Sequence, residues 1–118
     1  MIMRLKRLLI ASFLCSASAY ATGPEVSDCP SAFHGVSIHG DAKLCQIFDS
    51  DSPSSMVYHV KQPPKQAVSF FLSDNRLSIQ SNVRDRTLIM SSDKNHRVIV
   101  SPDGSGSQID ILVITPQS

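Results

Sequence analysis

The second half of this chain holds a series of short β-rich runs whose links are too brief for anything but hairpins. Leu77 and Ile79 alternate with Ser78 and Gln80, and residues 86–91, 97–101 and 109–115 are three further runs of β-forming residues. Ser92-Asp93-Lys94-Asn95 and Pro102-Asp103-Gly104-Ser105-Gly106-Ser107 separate them with turn formers. Parallel neighbours need a crossover of roughly a dozen residues or more, so these strands are expected to form an antiparallel meander.

Upstream, Pro63-Pro64 opens a helix, because proline suits the first turn, where its missing N–H costs nothing. Val68, Phe71, Leu72 and Asn75 recur at helical spacing, with Ala67 and Phe70 widening the stripe, which predicts a helix over 64–75. Residues 33–38, 42–48 and 56–61 read as strands, and the Asp/Ser/Pro-rich stretch 49–55 as a loop. The predicted fold class is α+β. It is a small single domain over 33–118, whose antiparallel sheet joins a C-terminal four-strand meander to short N-terminal strands, with one helix packed on a face. Pro64, Val68 and Phe71, followed by Val98-Ile99-Val100 and residues 109–113, give a pattern of core positions that resembles small exported bacterial proteins with a helix ahead of an antiparallel meander. That resemblance implies packing and carries no functional residues.

The last run has apolar residues on both sides. Ile109, Ile111 and Val113 share one face, and Leu112 and Ile114 share the other with Asp110; Ile89 and Ile99 are expected to join that second face. A strand with one side in water would be polar there. The second face is therefore expected to be covered by the segment around Phe33, Val36 and Ile38, or else to bind another molecule.

The N-terminus reads as an address. Arg4, Lys6 and Arg7 precede a short apolar run from Leu8, and Ala19-Tyr20-Ala21 fits the small-x-small rule of a secretory leader cleaved after Ala21. The run falls short of the roughly 20 residues that span a bilayer. Leu14 before Cys15 is too bulky for a lipoprotein signal, so the expected product is periplasmic or secreted, with no membrane span. The remaining 97 residues carry 8 basic and 10 acidic side chains, and 22–32 read as an extended lead-in. That mild acidity, with no aromatic residues interleaved among Arg84, Arg86, Lys94 and Arg97, argues against nucleic acid as a partner.

Cleavage leaves Cys29 and Cys45, an even pair that reads as a disulfide in an exported domain. Closing a loop of about 16 residues stabilises the folded state by roughly 3 kcal/mol in the chain-entropy model. The competing reading is a metal site built from Cys29, His34, His39 and Cys45. The interleaved order Cys-x4-His-x4-His-x5-Cys departs from zinc-finger spacing, where cysteines and histidines come in separate pairs. His59 and His96 stand in no catalytic motif, and neither Asp49-Ser50-Asp51 nor Asp103-Gly104-Ser105-Gly106 meets the pattern of a calcium loop.

No catalytic residue and no cofactor is implied. The expected function is a noncatalytic binding module whose partner is a protein or a second copy, met at a sheet edge or on the second sheet face. The alternatives are a metal-binding protein using His34 and His39 with the cysteines, and an inhibitor that inserts residues 102–107 into the cleft of an envelope hydrolase. Native mass spectrometry of the exported protein separates the first two. The expected mass starts at Thr22, lacks two hydrogens and carries no metal; one bound metal ion with both thiols reduced would reverse the order.

Overall fold

The computed structural model describes residues 28–49 and 52–115. The expected leader over 1–21, its cleavage point at Ala21 and the first part of the lead-in lie outside the described residues. The elements run β1 (Ala32–Phe33), β2 (Val36–Ser37), β3 (Lys43–Phe48), β4 (Ser54–Val60), α1 (Pro64–Leu72), β5 (Leu77–Val83), β6 (Arg86–Ser91), β7 (His96–Asp103) and β8 (Gly106–Val113). Strands β3 to β8 form one antiparallel sheet in the order β3-β4-β8-β7-β6-β5, and β1 with β2 makes a separate two-stranded hairpin. The α+β class, the meander and the helix on one sheet face are as the sequence predicts.

Each meander turn has a chemical cause. Arg84 and Asp85 link β5 to β6 with φ of 54° and 68°, and positive values at both positions mark the type I′ turn that matches strand twist. Between β6 and β7, Asp93 accepts hydrogen bonds from the Ser91 hydroxyl at 2.6 Å and the Asn95 N–H at 3.0 Å. Between β7 and β8 the loop is only Gly104-Ser105, with Gly104 at φ 62°.

Three expectations about these elements need correction. Residues 33–38 are not one strand but the β1–β2 hairpin, folded at His34 (φ 47°) and Gly35 (φ 85°). The helix stops at Leu72 and not Asn75, because the Ser73 hydroxyl takes the Phe70 carbonyl at 2.7 Å and Asp74 turns to bind Arg76. Ile89 is fully buried on the helix side, where it pairs with Val98; Leu88 takes the open side opposite Ile99.

The core lies between the sheet and α1. Met56, Tyr58 and Val60 of β4, Ile109, Ile111 and Val113 of β8, Val98 and Val100 of β7 and Ile89 of β6 point into it in strict alternation. The helix adds Ala67, Val68 and Phe71. Phe33, Val36 and Ile38 pack into this same core, so they do not cover the second face as expected. The reason is one of reach. A nine-residue helix is about 14 Å long, whereas six strands span about 24 Å from edge to edge, and the N-terminal arm fills the uncovered remainder. Cys29 and Cys45 are joined in a disulfide that fixes the start of this arm to β3.

Gly106 starts β8 where the backbone of β4 turns toward the helix. A Cβ there would run into the Val60 carbonyl oxygen and press on Lys61 Cα at 3.1 Å. Gly106→Ala is expected to destabilise the domain by about 3 kcal/mol, the upper end for overpacking, as measured by urea unfolding of the two proteins.

Candidate functional site

The residues of the metal reading do not converge. The Cys29 and Cys45 sulfurs bind each other. His34 sits outside, its Nε2 3.1 Å from Asp49 Oδ1, which also accepts from the Ser54 hydroxyl at 3.0 Å. His39 is buried, shares a 2.8 Å hydrogen bond between Nδ1 and the Tyr58 hydroxyl, and stacks on Phe70 with ring centres 3.9 Å apart. Among the described residues no group of three or more His, Cys, Asp or Glu could hold a metal ion.

The other histidines also have hydrogen-bond partners. His59 Nδ1 lies 2.9 Å from Asp103 Oδ2 near the β7–β8 turn, and His96 Nε2 lies 3.1 Å from the His34 carbonyl oxygen. His96 lines a polar cleft of about 380 Å³ with Asp74, Arg76, Ser91 and Asp93. Its polar groups bond to one another, Asp93 to Ser91 and Asn95. Arg76 donates to Asp74 at 2.6 Å, holding that carboxyl down to about 2, and also donates to the Gly35 carbonyl at 2.9 Å. The cleft therefore ties the arm to the sheet. Residues 102–107, assigned above to a cleft-inserting loop, are strand on both sides of the two-residue turn Gly104-Ser105.

Two surfaces are not used up by the fold. The first is the free edge of β5. Only Leu77 of that strand is buried; Ile79 and Val83 are 47% and 61% exposed, and Leu77–Val83 holds no charged residue. Beside it, Pro64, Val68 and Leu72 of α1 face Ile79, Thr87 and Pro102 across an open groove of about 630 Å³. A one-residue bulge between Ile79 and Ser81 turns Ile79 and Asn82 toward the helix and Ser81 and Val83 away from it. The opposite edge is less receptive: β3 carries Lys43 and, besides a register shift such as β5 also has, a left-handed residue at Leu44 with φ 58°.

The second surface is the sheet face away from α1. Val57, Leu88, Met90, Ile99 and Leu112 stand there with Arg97 and Asp110, and among the described residues no chain segment packs across it. Sequence reading named Ile99, Leu112 and Asp110 for this face but missed the β5 edge. The seven residues of β5 carry no charge, but only the strand order shows that they border solvent.

Burial lowers the pKa of His39, with nearby Asp41 opposing that shift, and burial keeps the Tyr58 phenol protonated. The unfolded chain therefore binds the His39 proton more readily than the folded one. Its contribution to stability is complete above the unfolded value near 6.5 and is lost as pH falls through the lower folded value. Thermal melts from pH 7.5 to pH 5 are expected to show Tm falling, with a shallower decline in His39→Gln. Comparison with protein-family models, with curated proteins and with solved structures finds no match to this chain, so its function is read from these surfaces alone.

Proposed function

We propose that this chain is an exported, noncatalytic binding module that captures an extended polypeptide segment along β5. The observation that carries the reading is the free, uncharged edge of β5 lying beside the groove between α1 and the sheet. An incoming strand gains main-chain hydrogen bonds from such an edge, and its alternate side chains reach pockets on one side. Here those side chains meet Val68, Leu72 and Ile79, so the fitting segment is apolar at every second position.

The secretory leader read from the sequence and the absence, among the described residues, of a helix able to cross a membrane are consistent with an exported product. The disulfide agrees with an oxidising compartment.

The test is selection of displayed heptapeptides on the disulfide-bonded protein, followed by amide chemical-shift mapping. Selected peptides are expected to alternate apolar and polar residues and to shift the amides of β5 and α1. Leu72→Glu, at a position 38% exposed, is expected to weaken them about tenfold or more while leaving the fold intact. Shifts confined to other strands, or affinities indifferent to Leu72→Glu, would overturn the assignment.

A further inference from the structure

The sheet face away from α1 carries a charge pattern that complements itself. Strand register places Arg97 opposite Leu112 and Ile99 opposite Asp110 on neighbouring strands β7 and β8. These four residues make a quadrilateral with the two charges on one diagonal and Ile99 and Leu112 on the other. Neither charge has an ion-pair partner among the described residues: Arg97 Nε donates to the Lys94 carbonyl at 3.1 Å, and Asp110 accepts from the Gln108 amide at 3.1 Å. Leu88 flanks Ile99 on β6, Met90 flanks Arg97, and Val57 flanks Asp110 on β4, so the apolar surface continues outward on both sides.

We propose that this face is the contact between two copies of the chain, related by a twofold axis that lies in the interface along the Ile99–Leu112 diagonal. The axis sets Ile99 against Ile99 and Leu112 against Leu112 of the other copy. It brings each Arg97 over the Asp110 of its mate, giving two equivalent ion pairs from one self-complementary patch. The geometry also fixes how the sheets cross. With strands about 4.8 Å apart and same-face residues about 6.8 Å apart along a strand, a twofold along that diagonal turns one set of strands by roughly 70–110° relative to the other. Near-perpendicular crossing is one of the two orientations in which β-sheets stack. A second copy suits this face because one twofold contact presents Asp110 to each Arg97 and Arg97 to each Asp110, with the apolar residues of the other diagonal between them.

Crossed sheets overlap over about 20 Å in each direction, or roughly 400 Å² of flat area per copy, about 800 Å² in all, the size of a weak, transient contact. The dimer is therefore weak and concentration-dependent. It leaves the β5 edge free, so it stands or falls apart from peptide capture.

Sedimentation of the disulfide-bonded protein over a hundredfold concentration range is the test, with melts to show that each variant folds. Wild type is expected to dimerise. Arg97→Asp and Asp110→Arg alone are expected to be at least tenfold weaker, because each sets like charges face to face. Mixing the two variants is expected to restore a heterodimer, since each reversed charge then faces its opposite on the other copy and the two unaltered charges face each other. Ile99→Cys, placed on the axis, is expected to give a covalent dimer with a short bis-maleimide crosslinker, which spans the roughly 10 Å between stacked sheets that a disulfide cannot, even if a charge variant fails to fold. A wild type that stays monomeric, a dimer indifferent to both charge reversals, or an Ile99→Cys protein that stays uncrosslinked would overturn the proposal.

Discussion

The pairing of β4 with β8 holds the sheet together. Seven consecutive residue pairs, from Ser54 with Val113 to Val60 with Ser107, join the N-terminal β3–β4 hairpin to the C-terminal meander. Without that ladder the molecule is two separate hairpin systems, and its most buried side chains lose their neighbours. Met56, Tyr58, Ile109 and Ile111 lie on these two strands and are all but inaccessible. The pairing also dictates the course of α1. Having formed β4, the chain must reach β5 at the far side of the sheet, and the helix with its flanking segments crosses the face between them.

That crossing uses up one face and leaves the other. The short helix and the arm share the inner face, and they meet in an aromatic group where His39 stacks on Phe70, touches the edge of Phe71 and binds Tyr58. Three parts of the chain converge there: arm, helix and sheet. With that much of a small domain committed to closing one face, the outer face and the β5 edge remain for contacts with other molecules.

The sequence made the meander legible because hydrophobic alternation and turn composition are local signals. Ile109, Ile111 and Val113 are buried as their spacing requires, and the disulfide follows from cysteine number and context. Other features depend on distant parts of the chain. Ile89 and Leu88 are adjacent apolar residues in one strand, and only the register against Val98 and Ile99 decides which turns inward. The destination of Phe33, Val36 and Ile38 depended on how far α1 reaches. The openness of β5 depended on its place at the end of the strand order, which nothing within residues 77–83 encodes.

The disulfide makes the closure of the core answerable to the chemistry of the surrounding solution. Cys45 lies on β3, at the edge opposite β5, and Cys29 stands at the head of the arm that closes what the helix leaves open. With both thiols reduced, that end of the arm is held only by packing and by the contacts of His34, Gly35 and His39. A copy retained where glutathione keeps thiols reduced is therefore more prone to open there and more readily cleaved by proteases. The outer face lies across the sheet from the arm, whereas the start of β5 is tied to it through Arg76 and the Gly35 carbonyl. The bond at one edge of the sheet is thus linked, through the arm, to the start of the strand at the other edge.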